Sequence, residues 1–342
     1  MDKQLLESTA QALVAPNKGI LAADESTGTI KKRFDSIGVE STAESRIGYR
    51  QTFFTADGAS DNISGVILYD ETLRQSISDG RTVPQALNDA GMIPGIKVDT
   101  GAKDLAGHPG EKVTEGLDGL RDRLKEYYDL GARFAKWRAV INIGENMPSA
   151  ACLSANAHAL ARYAALSQEA GLVPIVEPEV IMDGDHDLAR CEEVSTEAFG
   201  AVFAALADQD VHLEGILLKP NMVISGTTCP TQAGVEEVAE ATVRCLKRTV
   251  PGAVPGIVFL SGGQSDELAT AHLNAMNALG AAPWELSFSY GRALQAPALK
   301  AWAGDNANRP AAAAAFMHRA RCNGAARSGS YSDAMEAEAA TV

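Results

Sequence analysis

The 342-residue sequence has no run of 18 consecutive apolar residues, and its N-terminal stretch, MDKQLLESTA, contains no apolar segment. A membrane-spanning helix needs roughly 20 apolar residues, and a secretory signal needs an apolar segment of about 7–15 residues. We therefore expect neither a transmembrane helix nor a secretory signal, and we predict a cytoplasmic protein.

Cysteine is scarce, with five residues and no Cys-x-x-Cys pair, and the six histidines show no His-x-His or HExxH spacing. Such spacings are typical of zinc sites and of disulfide frameworks. We expect the cysteines to be small buried hydrophobic residues in a reducing compartment. We predict no metal at the functional site and no cofactor.

Basic residues are also fewer than acidic ones. The chain has 30 Lys and Arg against 44 Asp and Glu, a formal net charge of −14. This balance argues against a general nucleic-acid or anionic-membrane surface, because both attract cationic proteins. A local basic pocket for a small anion remains compatible with it.

Eight short apolar runs alternate with stretches of helical periodicity, of which residues 235–246 are the clearest. Strands that alternate with helices predict an α/β fold with a parallel sheet. Eight such units predict a single closed (β/α)8 TIM barrel over residues 1–321. An open doubly wound sheet is the alternative, although no GxGxxG motif follows the first run. The runs are KGILAAD (18–24), GVILYD (65–70), PGIKVD (94–99), ARFAKWR (132–138), VPIVEPE (173–179), GILLKPN (215–221), GIVFLSGG (256–263) and ELSFSYG (285–291).

Nearly every run ends in a charged or polar residue, and a barrel brings the carboxyl ends of its strands to one rim. The run GILLKPN reaches Lys219, which Pro220 keeps in an extended conformation. Taken alone, Lys219 is best explained as a snorkelling side chain with its ammonium in water. Beside Lys136 at the same rim, we expect like charge and burial to favour a neutral lysine. A neutral lysine is a nucleophile that forms Schiff bases with carbonyl compounds.

Schiff-base chemistry also needs a carboxyl group that moves protons. Glu177 and Glu179 lie at the end of the run before the one that carries Lys219. Either glutamate is equally well explained as the ion-pair partner of a lysine, and the two roles are compatible.

Segments after the last two runs indicate a phosphate site, since barrel enzymes often hold phosphate on backbone N–H groups after strands seven and eight. Lys97 and Arg138 add positive charge at the ends of two other runs. A basic rim on an acidic chain predicts an anionic ligand. The phosphate-site candidates are Ser261, Gly262, Ser289, Gly291 and Arg292.

Seven motifs, taken in order, closely resemble those of the class I, Schiff-base fructose-1,6-bisphosphate aldolases. The resemblance runs from about residue 5 to residue 320. It implies a (β/α)8 barrel, a homotetramer without metal, and reversible cleavage of fructose 1,6-bisphosphate to dihydroxyacetone phosphate and glyceraldehyde 3-phosphate. The motifs are LAADEST (21–27), GIKVD (95–99), FAKWR (134–138), IVEPE (175–179), LLKPNMV (217–223), FLSGGQS (259–265) and SFSYGRALQ (287–295).

The resemblance also implies roles for these residues. Lys219 matches the Schiff-base lysine and Glu177 the main acid/base. Asp24 and Lys136 match their partners in proton transfer and C–C cleavage, and Glu179 matches a support for the lysines. The phosphate-site candidates named above match the site for the ketone-side phosphate. The basic residues matched to the other phosphate are Lys97, Arg138 and Arg33.

The chain departs from the animal members of this family in two places. Thr29 stands where they usually have serine, and the chain ends Ala-Ala-Thr-Val where they end in a tyrosine that assists proton exchange. Residues 322–342 have almost no large apolar side chain, so we predict a mobile C-terminal tail. We predict no role in cleavage for its one tyrosine, Tyr331.

Two other functions stay open. One is another Schiff-base barrel lyase that acts on a phosphorylated sugar, and the other is a non-catalytic sugar-phosphate-binding scaffold. Basic clusters at two sides of the rim favour a bisphosphate substrate. The joint presence of Lys219, Glu177, Lys136 and Asp24 disfavours a scaffold.

Overall fold

A computed structural model describes residues 1–337 of the chain. Eight parallel strands close into a barrel in the order β1-β10-β9-β8-β7-β6-β3-β2. All eight predicted runs form its strands, so the closed barrel is confirmed and the open doubly wound alternative is wrong. The barrel strands are β1 Gly19–Ala23, β2 Ile63–Leu68, β3 Ile93–Lys97, β6 Phe134–Ile141, β7 Val173–Val180, β8 Leu217–Leu218, β9 Gly256–Phe259 and β10 Glu285–Tyr290.

A two-stranded antiparallel hairpin, which the sequence patterns did not predict, lies between β3 and β6; its strands are β4 Gly101–Asp104 and β5 Lys112–Glu115. Helices surround the barrel, and none of those within residues 1–337 is long and apolar enough to cross a membrane. They are α1 Lys3–Leu13, α2 Thr27–Asp35, α3 Ala43–Phe54, α4 Asp70–Leu73, α5 Val83–Asp89, α6 Leu120–Asp129, α7 Ala150–Glu169, α8 Leu188–Asp208, α9 Val235–Thr249, α10 Asp266–Ala278, α11 Arg292–Trp302, α12 Arg309–Ala326 and α13 Ala334–Ala337.

The inside of the barrel is filled with apolar side chains. Phe134 occupies its interior, where Gly95 and Gly65 leave room: a Cβ at Gly95 would lie 2.3 Å from the Phe134 ring, and a Cβ at Gly65 would lie 2.8 Å from Leu13 Cδ2 and 3.0 Å from Phe134. Leu6 and Leu13 of α1 pack into the same apolar cluster. The barrel is therefore a packed core, and only the rim formed by the carboxyl ends of its strands is left for chemistry.

Strand β8 is only two residues long, but the extended backbone continues into Lys219. The Lys219 N–H donates to the Val176 carbonyl oxygen at 2.8 Å. Pro220 has no N–H and ends the ladder there. This extended backbone, expected from the Lys-Pro pair, holds the lysine side chain at the rim.

The domain boundary expected at residue 321 is not where the fold changes. Helix α12 runs through it to Ala326, and Arg327 donates to the carbonyl oxygens of Val14 and Ala15. Tyr331 is buried. Polar hydrogen bonds, which the apolar content of the sequence does not reflect, hold much of this segment. Mobility of the tail stays a prediction, and residues 338–342 lie outside the described residues.

Candidate active site

All thirteen predicted site residues line one cavity of about 590 Å³ at the carboxyl ends of the strands. The residues come from seven of the eight barrel strands and the segments that follow them. The parallel barrel therefore brings together side chains that lie up to 268 positions apart in the sequence, counted from Asp24 to Arg292.

Glu177 lies at the centre of the cavity between two lysines. Its Oε1 is 3.2 Å from Lys219 Nζ, and its Oε2 is 3.2 Å from Lys136 Nζ. Lys136 Nζ also contacts Asp24 Oδ2 at 2.8 Å. These four side chains form a buried row in which the charges alternate, Asp24, Lys136, Glu177 and Lys219.

This alternation changes the expected electrostatics of Lys136. Burial by itself lowers the pKa of the Lys136 ammonium, but Asp24 and Glu177 outweigh that effect and raise the pKa well above its ordinary value. The expectation of mutual repulsion between Lys136 and Lys219 omitted the carboxylate that lies between them. Lys136 is therefore a fixed positive charge at neutral pH.

The two carboxylates respond in the opposite direction. Burial raises the pKa of Asp24, but Lys136, Lys219 and Lys97 outweigh burial and hold that pKa at about 2. Burial likewise raises the pKa of Glu177, while Lys136, Lys219 and Arg138 lower it below its usual range. Both groups are carboxylates at neutral pH before a ligand enters.

Two buried oxygens in this cavity have no hydrogen-bond partner within residues 1–337, Glu177 Oε2 and Ser289 Oγ. The 3.2 Å contact between Glu177 Oε2 and Lys136 Nζ is close enough for an ion pair, but its angles do not make a hydrogen bond. Buried polar atoms are rarely left unpaired. Both oxygens are thus available to an entering polar ligand.

The segments after β9 and β10 form an anion-binding corner. Ser261 and Gly262 follow β9, while Gly291 is the residue before α11, which begins at Arg292 as predicted. The first N–H groups of a helix lack partners within the helix and attract anions. Arg292 Nη2 donates to the Gln264 carbonyl oxygen at 2.8 Å, so the guanidinium is anchored beside this corner.

Lys97 and Arg138 lie at the β3–β6 side of the cavity, and each is paired with a carboxylate. Lys97 Nζ contacts Asp99 Oδ1 at 2.5 Å, and Arg138 Nε donates to Glu179. Glu179 was expected to support the lysines, but in the structure its carboxylate forms an ion pair with Arg138 instead. The reason is register, since β7 pairs Glu179 with Val140, farther along β6 than Lys136.

Arg33 was grouped with Lys97 and Arg138, but the structure places it beside Gly291, at the corner formed by the segments after β9 and β10. A Cβ built on Gly291 would lie 3.8 Å from Arg33 Nη2. Arg33 is carried by α2, directly after β1, and β1 pairs with β10. The closure of the barrel, which is hard to see along the sequence, brings the first and last strands together.

Glu25 is the main cavity residue that the sequence reasoning missed. Its Oε1 is 2.5 Å from Arg33 Nη1 and accepts from Gln295 Nε2 at 2.8 Å. Fully buried Arg50 donates to the Glu25 carbonyl oxygen at 2.7 Å. Glu25 follows Asp24 in the sequence, which is a usable signal, whereas nothing in the sequence around Arg50 distinguishes it from a surface helix residue.

Comparisons with known proteins agree with this geometry. The family model described as class-I fructose-bisphosphate aldolase matches residues 5–342 of the chain. The chain is 61% identical over 332 residues to the probable fructose-bisphosphate aldolase class 1 of Xanthomonas campestris pv. campestris, covering 97% of this chain and 99% of that protein. It is 54% identical over 329 residues to the fructose-bisphosphate aldolase of Dictyostelium discoideum, covering 95% and 92%.

A solved structure is similar over nearly the same span. It is the fructose-bisphosphate aldolase of Plasmodium falciparum in complex with TRAP and a small-molecule inhibitor. The TM-score is 0.95 and the sequence identity 49%, over 96% of this chain and 95% of that chain.

Proposed function

This chain belongs to the class-I fructose-bisphosphate aldolase family and is a lyase of that class, and on this premise we propose how its rim residues divide the work. Lys219 is the nucleophile that attacks the substrate ketone. The observation that carries this assignment is the difference between the two buried lysines. Lys136 contacts two carboxylates, whereas Lys219 contacts one oxygen of a carboxylate that it shares with Lys136.

The shared carboxylate, Glu177, is the proton carrier in this proposal. Glu177 is a carboxylate in the empty site, and it accepts, one after the other, the two protons that the Lys219 nitrogen loses. It passes each proton to the former ketone oxygen, so that a carbinolamine forms first and water then leaves as the C=N bond forms. Glu177 Oε2 accepts no hydrogen bond within residues 1–337, so it can accept one from the substrate while Oε1 faces Lys219. Lys136 remains protonated and stabilises the carboxylate forms of its neighbours.

Cleavage then needs a base for the hydroxyl next to the bond that breaks. Asp24 is a carboxylate at the end of β1 and faces the same cavity. We assign Asp24 and Lys136 to this step: the hydroxyl proton leaves, the C–C bond breaks, and its electron pair moves into the C=N group. The resulting enamine is protonated at carbon, and water hydrolyses the imine to release the ketone product and free Lys219.

The two basic corners account for a substrate with two phosphates. The corner formed by Ser261, Gly262, Ser289, Gly291 and Arg292 takes the ketone-side phosphate, and Arg33 joins it there. Lys97 and Arg138, with Glu179 and Asp99 as their counterions, face the other phosphate. This division favours a sugar bisphosphate over the monophosphate substrates of other Schiff-base barrel lyases.

Borohydride reduction in the presence of dihydroxyacetone phosphate tests the central assignment. The expected product is a single covalent adduct that peptide mapping places on Lys219. An adduct on Lys136 would reverse the roles of the two lysines, and the absence of any adduct would favour the non-catalytic scaffold. Activity is expected to survive prolonged chelation, because no step above uses a metal.

Arg33 offers a test of the phosphate assignment. Arg33→Ala is expected to raise KM for fructose 1,6-bisphosphate and for fructose 1-phosphate alike, because both carry the ketone-side phosphate. Arg138→Ala is expected to affect the bisphosphate alone. If Arg33→Ala changed the kinetics of the bisphosphate alone, Arg33 would belong with Lys97 and Arg138 at the other phosphate.

We also propose a cytoplasmic homotetramer, as the family resemblance implies. Light scattering of the purified chain measures the oligomer directly. A monomer or dimer at micromolar concentration would contradict the tetramer and leave the site assignments unaffected.

A further inference from the structure

A second cluster of chemically reactive side chains lies outside the barrel cavity, at the C-terminal end of the described chain. His318 and Cys322 stand four residues apart on α12 and therefore share one face of that helix. Glu336 comes back to this face from α13. His318 Nε2 is 3.6 Å from Cys322 Sγ and 3.2 Å from Glu336 Oε2.

These distances match the edges of a tetrahedral metal site. Zinc binds imidazole nitrogen and carboxylate oxygen at about 2.0–2.2 Å and thiolate sulfur at about 2.3 Å. Tetrahedral angles then place nitrogen and sulfur about 3.5 Å apart, and nitrogen and oxygen about 3.3–3.5 Å apart. The third edge, from Cys322 Sγ to a Glu336 carboxylate oxygen, is at most 4.8 Å. Rotation of the partly exposed Glu336 side chain by about 1 Å brings it to the roughly 3.5 Å that a tetrahedral site requires.

We propose that His318, Cys322 and Glu336 bind a thiophilic divalent cation such as Zn²⁺, and that the ion ties residues 331–337 to helix α12. The donor set selects the metal class. Thiolate and imidazole suit zinc and its neighbours, whereas magnesium and calcium require oxygen ligands. With three protein ligands, water completes the tetrahedron. The thiol proton of Cys322 is released to solvent when the thiolate binds.

The surroundings allow both entry and charge balance. Cys322 and His318 are buried, while Glu336 is partly exposed and opens the cluster to solvent. Arg319 contacts both oxygens of Glu336, and its other nitrogen donates to Thr270 Oγ1 at 2.6 Å and to the Asp266 carbonyl oxygen at 3.0 Å. When a cation takes Glu336 Oε2, Arg319 retains Oε1 and its anchors on α10.

The proposed metal site is structural, whereas the barrel cavity is catalytic. The metal site therefore does not depend on the roles assigned to Lys136 and Lys219. No cavity residue belongs to the cluster. Without metal, the side chains that hold Glu336 to α12 are Arg319 and His318, with Tyr331 adding a hydrogen bond of 2.8 Å. A bound cation adds a direct link between the helix and the segment that follows it.

Titration of the untagged full chain with Zn²⁺, and separately with Co²⁺, tests the proposal. We expect one cation per chain. The cobalt form should show a thiolate-to-metal charge-transfer band and the strong visible absorption of tetrahedral coordination. Absence of both features in the wild-type chain would overturn the proposal without any variant being needed.

Matched variants then locate the site. Cys322→Ser and His318→Ala are each expected to weaken zinc binding by more than about a hundredfold, since even outer-shell changes cost 10–100-fold. Cys229→Ser and His158→Ala change a more exposed cysteine and histidine, and they should leave the affinity unchanged. Loss of binding in either control, with wild-type affinity in Cys322→Ser, would place the metal elsewhere and refute the assignment.

Amide hydrogen exchange tests the structural consequence. Zinc should slow exchange in residues 331–337 of the wild-type chain and have no such effect in Cys322→Ser. Tight binding without added protection would contradict the proposed link between the segment and α12. Aldolase activity of Cys322→Ser should equal that of the wild type with and without chelator, because the cluster lies outside the catalytic cavity.

Discussion

Two glutamates in this molecule are surrounded by cationic or hydrogen-bonding side chains, and they differ in how completely they are satisfied. Glu336 accepts from Arg319, from the Tyr331 hydroxyl and, at Oε2, contacts His318. Glu177 contacts two lysines, yet its Oε2 has no hydrogen-bond partner within residues 1–337. Arg319 donates to both oxygens of Glu336 from a single nitrogen, Nη1, while its Nη2 is held by α10. The ammonium groups beside Glu177 act instead as point charges.

The difference indicates what each region is built to do. At Glu336 both carboxylate oxygens are paired, and these polar contacts add to the apolar packing of Tyr331 and Met335 in positioning the chain after α12. At Glu177 and Ser289 hydrogen-bonding capacity is left over inside a cavity, where a ligand supplies the missing partners. Unpaired buried atoms also occur elsewhere within residues 1–337, Arg319 Nε among them. The functional region is therefore marked by unpaired oxygens that line a cavity, where a ligand can reach them.

The largest effect expected from this comparison is at Lys219. Lys219→Arg keeps the positive charge but removes the primary amine that forms the imine, so kcat should fall by more than about 10⁴-fold. Arg319→Lys makes the opposite replacement, arginine by lysine, in the cluster around Glu336. Because Arg319 does not line the catalytic cavity, this variant should change kcat by less than about threefold. Steady-state cleavage assays on both variants measure this, and retention of more than a hundredth of the activity in Lys219→Arg would contradict the assignment.

The two glutamates themselves provide the next test. Glu177→Gln removes the proton carrier, and kcat should fall by about 10²–10⁴-fold, the usual contribution of general acid–base catalysis. Glu336→Gln should change kcat by less than about threefold. Equal losses in the two variants would mean that the C-terminal cluster takes part in the reaction and that the comparison is mistaken.

Arg292 is expected to give an intermediate effect. Arg292→Ala removes a charge-assisted hydrogen bond worth about 1.5–3 kcal/mol, which lowers kcat/KM by roughly 10–150-fold. Arg292→Lys should recover only part of this, because lysine cannot bind phosphate with two parallel bonds. Arg321→Ala, an exposed arginine on α12, is the control and should match the wild type. Unchanged kinetics in Arg292→Ala would place the phosphate elsewhere.

A smaller effect is expected on stability in acid. The pKa of Asp24 is lowered from 3.8 to about 2 in the folded chain, so the carboxylate stabilises the fold above about pH 4 and loses this contribution as the pH falls toward 2. Linkage puts the loss at about 1 kcal/mol between pH 6 and pH 3. Urea unfolding at the two pH values should therefore show a smaller drop for Asp24→Asn than for the wild type. An equal or larger drop in the variant would refute the lowered pKa.

The same comparison explains which parts of the molecule could be predicted from the sequence. The barrel and its rim were accessible because each strand carries its apolar run and its terminal charge together, as in IVEPE and LLKPN. The pairing of Glu179 with Arg138 and the place of Arg33 were not, because both depend on strand register and on the closure of β1 against β10. The packing of residues 322–337 was missed because it rests on arginine side chains that donate to distant backbone carbonyls.

Tyr331 tests the smallest expected effect. Tyr331→Phe removes the hydroxyl that donates to Glu336 Oε1 at 2.8 Å. Tyr331 does not line the cavity that contains Lys219, so bisphosphate cleavage should change by less than about threefold, or ~0.7 kcal/mol on the transition state. The sensitive measurement is exchange of the proton next to the ketone of dihydroxyacetone phosphate, followed as loss of deuterium to water. Exchange slowed a hundredfold, with Schiff-base formation intact, would mean that Tyr331 leaves Glu336 and reaches the rim during turnover. Wild-type exchange would leave Tyr331 as part of the C-terminal cluster around Glu336, whose polar atoms hold the chain in place and take no part in the reaction.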